Sequence, residues 1–198
     1  MLYKGSSSLF AEAMIYFKEG SLFSTNEDYS LAHCISMDTG EGMFRGIASD
    51  FLTYFPDLQK LRLLTVARTG LVIPVRIGNR FVYNLVTKPC YWDKPKIYDL
   101  HLSLESMLAH AVENMVSNIA ITLLGSGCDK LDFVHQVMPL IEQIFGKSAV
   151  NVHIYYLGKD SNMIMERYIF FMSLPCYIDV LRFSWCGKAF TIFSKGIF

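Results

Sequence analysis

The chain has 198 residues, of which 52% are hydrophobic and 14% aromatic, a composition that excludes intrinsic disorder and allows one domain with a well-filled core. Eighteen basic and 18 acidic residues give a formal net charge of +0, and no Lys/Arg cluster supplies the phosphate contacts of a general nucleic-acid binder. The five cysteines show neither CxxC spacing nor a Cys/His cluster, so reduced thiols in an intracellular protein and no metal site are expected.

Short buried strands separated by turns are predicted for the first part of the chain. Residues 1–12 are expected to form a loose leader, because they lack the features of a signal peptide. Apolar runs then predict strands over Ala13–Lys18 and Ser30–Ser36. A glycine-rich turn follows the second strand, and the next apolar pattern predicts a helix over Ile47–Phe55 that ends before Pro56.

A β-hairpin and a long helix are predicted in the middle of the chain. Leu71–Ile77 and Phe81–Thr87 are rich in β-favouring residues, and Gly78-Asn79 between them is typical of a two-residue hairpin turn. The segment Pro89–Lys96, with prolines and large aromatics, is expected to be a loop. Apolar residues at helical spacing then predict a helix over Asp99–Asn118.

Strands and helices go on alternating up to residue 157. Ile119–Leu124 is predicted to be a buried strand, Asp132–Phe145 a helix with Asp132 as its N-cap, and Val150–Leu157 a last strand. This alternation predicts an α/β sandwich with a mixed sheet over residues 13–157.

The glycine loop Gly125-Ser126-Gly127, between a predicted strand and a predicted helix, indicates an anion-binding site. Backbone N–H groups at such a turn point outward without partners, and the helix dipole favours negative charge. Glycine also lets the backbone approach a ligand closely. Asp129 lies in the same loop and is a candidate acid or base beside a bound phosphate or sugar. A purely structural turn is the alternative interpretation.

The chain after residue 157 has a different character. Tyr168–Phe183 is strongly apolar but contains Pro175 and Asp179, and its length is below the roughly 20 apolar residues that span a bilayer. No membrane span is therefore predicted. Three interpretations of residues 158–198 stay open: an extension packed on the domain, a partner-binding segment, or a poorly folded extension.

Five motifs occur in the order and approximate spacing of a macro domain. They are Gly20-x-Leu22-Phe23, Ser30-Leu31-Ala32-His33-Cys34-Ile35-Ser36, Gly46-Ile47-Ala48, Thr87-Lys88 and Gly125-x-Gly127-x-Asp129-x-Leu131. On these motifs residues 13–157 resemble the macro domain family, and within it the terminal ADP-ribose protein glycohydrolases, or O-acetyl-ADP-ribose deacetylases. The resemblance implies a three-layer α/β/α fold with a mixed central sheet, and with ADP-ribose lying across the carboxyl ends of the strands.

The resemblance also implies a reaction, namely removal of ADP-ribose from acidic side chains of modified proteins and deacetylation of O-acetyl-ADP-ribose. In this family the lysine that matches Lys88 attacks the anomeric carbon of the distal ribose and forms a covalent intermediate. The aspartate that matches Asp129 acts as acid and base to release ADP-ribose. A lysine attacks only in its neutral form, so burial or a neighbouring cation would have to favour the neutral amine. A solvated lysine at a strand end is the alternative.

The other matched positions are expected to bind ADP-ribose. They are Ser21, Leu22, Ser36, Asp38, Gly46, Ile47, Ala48, Thr87, Gly125, Ser126, Gly127 and Cys128. The resemblance implies no cofactor and no metal, and its ligands are ADP-ribose, O-acetyl-ADP-ribose and mono-ADP-ribosylated proteins. The expected protein is an intracellular monomer, in nucleus or cytoplasm, without direct nucleic-acid or membrane binding. Tyr91 and Trp92 are candidates either to cover the ligand or to pack on the surface, and His33 is expected to be a buried structural histidine.

Three departures from the family pattern affect the expected binding residues. Family members carry Asp after the first glycine, where it reads the adenine amino group, and this chain carries Ser21. Phe44 replaces a glycine of the family's Met-Gly-x-Gly, and Thr122-Leu123-Leu124 replaces a Pro-Arg that precedes the glycine loop. The alternatives to an active hydrolase are therefore a non-catalytic ADP-ribose-binding domain and a degenerate paralogue that acts as an interaction protein.

Overall fold

The computed structural model describes residues 13–39, 45–66, 68–160, 181–186 and 189–194, with the last two ranges described by their backbone alone. Several sequence predictions lie outside these ranges. They are the loose leader, the turn with Gly40 and Gly42, the replaced glycine at Phe44, and most of the apolar segment after residue 160.

Within the described ranges, eight strands form one sheet. They are β1 (Met14–Glu19), β2 (Ser30–Ser36), β3 (Leu71–Ile77), β4 (Arg80–Lys88), β5 (Asn118–Ile121), β6 (Asn151–Tyr156), β7 (Leu181–Cys186) and β8 (Ala189–Ser194). Their order across the sheet is β3-β4-β2-β5-β6-β1-β8-β7. The central strands β4, β2, β5, β6 and β1 are parallel, whereas β3 and β8 run antiparallel to their neighbours. The predicted mixed sheet is confirmed.

Three α-helices and several tighter turns connect the strands in the part of the chain that the structure describes. The α-helices are α1 (Ile47–Tyr54), α2 (Ile97–Glu113) and α3 (Met138–Phe145). One π-helical turn, Phe133–Val137, leads directly into α3. The 3-10 turns are Leu22–Ser24, Pro56–Leu63 and Gly158–Asp160.

The helices cover both faces of the sheet, as a three-layer α/β/α fold requires. On one face the apolar sides of α2 and α3, including Leu104 and Ile141, pack in the main core with β1, β5 and β6. On the other face Phe51 of α1 and Leu58 of the following 3-10 turn pack against Leu31 and Val82. Parallel strands buried on both faces explain why the sequence shows continuous apolar runs rather than strict alternation.

The predicted hairpin is confirmed. Ile77 pairs with Arg80 across a two-residue turn, and Gly78 adopts φ +59°, a left-handed conformation that glycine tolerates best. Pro74 lies in β3, the edge strand, where its missing N–H does not interrupt a second ladder.

The boundaries of two predicted elements, one helix and one strand, are wrong. The helix predicted over residues 99–118 ends at Glu113, because the chain reverses at Met115, which has φ +54° and is 89% exposed. The strand predicted over residues 119–124 starts one residue earlier and ends at Ile121. Asn118 already pairs with Asn151, so the sheet takes residues that helical periodicity had assigned to the helix.

Part of the C-terminal extension belongs to the sheet. Strand β8 pairs antiparallel with β1, and β7 pairs antiparallel with β8 beyond it. The extension therefore continues the sheet past β1 instead of leaving that strand at its edge. Among the residues whose structure is described, no helix is both long enough and apolar enough to cross a membrane.

Two histidines are buried inside the fold as neutral rings. His33 is fully buried, stacks on Phe51 at a centroid distance of 3.9 Å, and its Nε2 lies 2.8 Å from Oδ1 of Asn84. His153 stacks on Tyr16 at 4.5 Å and contacts Asn118 through Nε2. Burial lowers the pKa of His33 to about 4 and that of His153 to about 3, from an ordinary value of 6.5.

These histidines predict acid sensitivity. Both folded pKa values lie below the unfolded value, so the unfolded state binds more protons as the pH falls below about 6.5. The contribution of the two histidines to the free energy of unfolding is fully present above that pH. It should fall by about 2 kcal/mol per histidine between pH 7 and pH 5. Urea unfolding at the two pH values measures this loss, and His153→Gln should reduce it. The comparison between the two proteins isolates the histidine, because burial also raises the pKa of Glu142 to about 7, which has the opposite effect on stability in this pH range. A change in the free energy of unfolding between pH 7 and pH 5 that is the same in His153→Gln as in the unmodified chain would contradict the burial of His153 as a neutral ring.

Candidate active site

A cleft of about 960 Å³ opens at the carboxyl ends of the parallel strands. The ends of β2, β4 and β6, the loop after β5, and the N-terminus of α1 all contribute to its walls. This is the place where open α/β sheets bind ligands, because the loops that leave neighbouring parallel strands converge there.

Lys88 and Asp129 meet inside this cleft. Nζ of Lys88 lies 2.5 Å from Oδ1 of Asp129, and the two side chains are only 11% and 12% exposed. A charge-assisted hydrogen bond of this length is strong, and it is shielded from bulk water. The amine and the carboxylate therefore face the same space and can exchange a proton directly.

A β-bulge aims the lysine into the cleft. Along β2 and β4, Ile35 pairs with Val86 but Ser36 pairs with Lys88, so Thr87 is an extra residue in the ladder. Such bulges bend a strand and redirect the following side chain. Thr87 itself is buried, and its hydroxyl lies 3.5 Å from the carbonyl of Ile35. Its observed contacts are internal, and it does not line the cleft.

The amine has a second acceptor in the loop that follows β4. Nζ of Lys88 donates to the carbonyl of Tyr91 at 3.0 Å, and the N–H of Tyr91 donates to Oδ2 of Asp38 at 3.1 Å. Asp38 was expected to contact ADP-ribose, but it does not line the cleft. The geometry places it behind the Tyr91 peptide, which it holds in position next to the amine.

The glycine loop after β5 is fixed by its own hydrogen bonds. Gly125 has φ +72°, and a Cβ there would come within 2.6 Å of Leu131, so only glycine fits. Ser126 donates to the carbonyl of Leu123 through both its N–H and its hydroxyl, and Leu131 donates to the carbonyl of Gly125. Within the described part of the chain, no hydrogen-bond acceptor is found for the N–H groups of Gly127, Cys128 and Asp129. They form a candidate anion cradle.

A second group of backbone donors lies opposite this loop. Gly46, with φ +57°, is the N-cap of α1 and provides no side-chain cap, so the first N–H groups of the helix, at Ile47 and Ala48, remain available. A Cβ on Gly46 would lie 3.5 Å from Sγ of Cys128, so the two loops approach each other closely. The two backbone groups can thus hold one anionic ligand between them.

The remaining predicted residues divide into cleft-lining and supporting positions. Ser21, Leu22 and Ser36 line the cleft. The Ser21 hydroxyl caps the 3-10 turn by accepting from the N–H of Phe23 at 3.3 Å. The Ser36 hydroxyl is buried and has no hydrogen-bond partner in the described structure, which leaves it available to a ligand.

The sequence interpretation missed several residues that line the cleft. They are Phe23, Arg45, Asp50, Tyr54, Tyr155, Tyr156, Leu157, Lys159 and Asp160. The five residues from Tyr155 to Asp160 in this set lie at the end of β6 or directly after it. They could have been found from the rule that neighbouring parallel strands share one carboxyl edge. Arg45 had no such signal. Its guanidinium lies 4.6 Å from the ring centroid of Tyr91.

Cysteine and metal chemistry have little support in the cleft. Burial, with the charge of Asp129 as a second cause, raises the pKa of the Cys34 thiol to about 12, so this thiol stays protonated at neutral pH. Cys128, in the glycine loop that lines the cleft, is exposed. The described residues contain no group of three His, Cys, Asp or Glu side chains able to hold a metal ion.

Comparison with known proteins identifies the family. No protein-family model matches the chain. The chain is 34% identical over 143 residues to ADP-ribose glycohydrolase OARD1 of Homo sapiens, and the match covers 72% of this chain and 91% of that protein. Among solved structures, the macrodomain of Thermus aquaticus DarG has a TM-score of 0.63 at 21% identity, covering 73% of this chain and 99% of that chain. Thermosipho africanus DarTG in complex with ADP-ribose has a TM-score of 0.63 at 18% identity, and the match covers 75% of this chain and 44% of that chain.

The helix-covered mixed sheet with its cleft at the carboxyl edge defines a macro domain. The chain belongs to the macro domain family, and its similarity to ADP-ribose glycohydrolase OARD1 extends over most of that relative's length. The family resemblance and the three-layer fold predicted from the sequence motifs are both confirmed.

The hydrogen bond between Asp38 and Tyr91 is testable. Asp38→Ala removes the acceptor of the Tyr91 N–H, so hydrogen exchange of that amide should accelerate by about tenfold or more, whereas Asp38→Asn keeps an acceptor and most of the protection. Asp57→Ala is the control, because Asp57 is an exposed carboxylate paired with Lys60 on the 3-10 turn after α1. Unchanged exchange at Tyr91 in Asp38→Ala would show that Asp38 does not hold this loop.

Proposed function

We propose that this macro domain hydrolyses the ester bond between ADP-ribose and acidic side chains of modified proteins. The observation that carries the proposal is the Lys88–Asp129 pair, which brings a nucleophile and a proton-transfer group together in one water-shielded cleft. The similarity to a relative named ADP-ribose glycohydrolase supports the same class of reaction.

The cleft suits the ligand in both size and character. Its volume of about 960 Å³ is at the upper end of the range for small-molecule sites. The unpaired N–H groups at Gly127 and Cys128 and at the start of α1 would hold the diphosphate. The hydroxyl of Ser36, which lines the same cleft and has no hydrogen-bond partner among the described residues, would bind a ribose oxygen.

The first chemical step uses both members of the pair. Transfer of the shared proton to Asp129 leaves Lys88 as a neutral amine. Its nitrogen forms a bond to the anomeric carbon of the distal ribose, while the bond from that carbon to the acceptor carboxylate breaks. Asp129 gives its proton to the departing carboxylate, so that a free acidic side chain leaves and the ribose is held on the lysine.

The second step regenerates the protein. Asp129, now a carboxylate, takes a proton from water as the water oxygen bonds to the same carbon. The carbon–nitrogen bond breaks, and the amine leaves with its electron pair. ADP-ribose is released, Lys88 is neutral, and Asp129 is protonated again, which balances the reaction as ester plus water to acid plus ADP-ribose.

The same steps apply to O-acetyl-ADP-ribose when its acetyl group is on the anomeric oxygen of the distal ribose, because attack at that carbon then breaks the bond to the acetate oxygen. Here the leaving group is acetate instead of a protein side chain. We propose deacetylation as a second activity of the same site, supported by the same amine and carboxylate.

Replacing the nucleophile should abolish turnover while leaving the cleft intact. Lys88→Arg keeps a cation beside Asp129 but cannot attack carbon, so release of ADP-ribose from a glutamate-ADP-ribosylated protein should fall at least about a hundredfold. Asp129→Ala should cause a loss of similar size. Lys147→Ala is the control, because Lys147 is exposed and does not line the cleft.

Two outcomes would contradict the proposal in different ways. Equal rates for Lys88→Arg and the unmodified chain would remove Lys88 from the chemistry. Calorimetric binding of ADP-ribose without any turnover would identify a non-catalytic binding domain instead, one of the two alternatives that the sequence leaves open.

A further inference from the structure

The loop that supports Lys88 also presents a distinctive surface at the rim of the cleft. Tyr91 accepts the hydrogen bond from the lysine amine through its carbonyl, and Arg45, Tyr91 and Trp92 all line the cleft. A group attached to a carbon atom that Lys88 attacks therefore lies within reach of this loop.

The loop is held in a defined shape. Oδ2 of Asp38 accepts from the Tyr91 N–H, and Oδ2 of Asp93 accepts from the N–H of Cys90, both at 3.1 Å. The guanidinium of Arg45 lies over the Tyr91 ring, and the rings of Tyr91 and Trp92 meet edge to face at 4.7 Å. A preorganised loop loses little conformational entropy when it binds a partner.

Trp92 is 68% exposed on this ordered loop. Exposure of a large aromatic ring to water is unfavourable, and tryptophan is enriched among the residues that dominate binding energy at protein interfaces. A ring at the mouth of a cleft that already holds a reactive pair is well placed to contact a bound polypeptide.

The fully exposed charges of Arg45 and this loop are cations. Arg45, Lys94 and Lys96 are exposed, whereas the carboxylates of Asp38 and Asp93 are half-buried and accept hydrogen bonds from the N–H groups of Tyr91 and Cys90. The three exposed cations outnumber these two carboxylates, so they form a local basic patch. Such a patch attracts an acidic partner and repels a basic one.

We propose that Arg45 and the loop Tyr91–Lys96 form an acceptor face, which binds an acidic segment of the ADP-ribosylated protein next to its modified side chain. This inference rests on the proposed function, and it names the class of protein substrate that the site prefers. Trp92 packs on the segment, and Lys94 and Lys96 pair with carboxylates that flank the modified residue.

The test compares substrates that share one reaction centre but differ in the acceptor. They are a glutamate-ADP-ribosylated peptide with acidic flanks, the same peptide with lysine flanks, and O-acetyl-ADP-ribose, which has no peptide. The variant carries Lys94→Glu with Lys96→Glu, two exposed positions outside the cleft lining. Lys96 directly precedes α2, where an acidic residue suits the helix dipole, so this variant is expected to fold.

The charge reversal should change substrate preference without changing the chemistry. We expect KM for the acidic peptide to rise about tenfold, KM for the lysine-flanked peptide to fall, and turnover of O-acetyl-ADP-ribose to stay within about twofold. Lys147→Glu, a reversal of charge at one exposed lysine outside the loop and outside the cleft lining, should leave all three unchanged.

The failures of the two proposals can be told apart. If the unmodified chain hydrolyses the substrates but the double variant affects all three equally, or none, only the acceptor face is overturned. If the unmodified chain hydrolyses neither peptide nor O-acetyl-ADP-ribose, the proposed function fails and the acceptor face fails with it.

Discussion

The contact between Lys88 and Asp129 depends on three neighbouring strands ending at the same edge. Lys88 ends β4 and Asp129 follows β5, while β2 lies between those two strands. Adjacent strands are about 4.8 Å apart, so the two side chains must close a gap of roughly 10 Å above the end of β2. The long lysine stem and the excursion of the glycine loop close it together. This bridge over β2 explains why the charge of Asp129 also acts on Cys34.

Local contacts on both sides hold the Lys88 and Asp129 side chains in position. The bulge at Thr87 turns the end of β4, and Gly125 permits a turn that a side chain would block through contact with Leu131. The Tyr91 carbonyl gives the amine a second fixed acceptor, and Asp38 anchors that peptide from behind. A polar pair with low exposure is costly unless its groups are hydrogen-bonded, so these contacts are what make the pair compatible with a stable fold.

The sequence predicted the elements whose signals are local. The apolar run of β2, the hairpin at Gly78-Asn79 and the N-cap at Asp132 are all found in the structure at the predicted places. The end of α2 was not predictable from periodicity, because the pairing of Asn118 with Asn151 is a contact between distant parts of the chain. The supporting roles observed for Asp38 and Thr87 likewise depend on partners in other strands. Arg45 lines the cleft with its guanidinium over the Tyr91 ring, and no spacing in the sequence indicates that contact.

The most direct test of nucleophilic catalysis by Lys88 is to detect the covalent bond between this lysine and ADP-ribose. Asp129 takes part in both proposed steps, but a carboxylate leaves readily without an acid, whereas water needs a base before it attacks. Asp129→Asn should therefore slow the second step more than the first, and after long incubation with a glutamate-ADP-ribosylated peptide and an acid quench it should accumulate the adduct. Mass spectrometry of the digested protein is expected to find one ADP-ribose on the peptide that contains Lys88, and none in the same variant with Lys88→Arg added. Release of ADP-ribose by the unmodified chain with no adduct at Lys88 under any quench would contradict nucleophilic catalysis by this lysine.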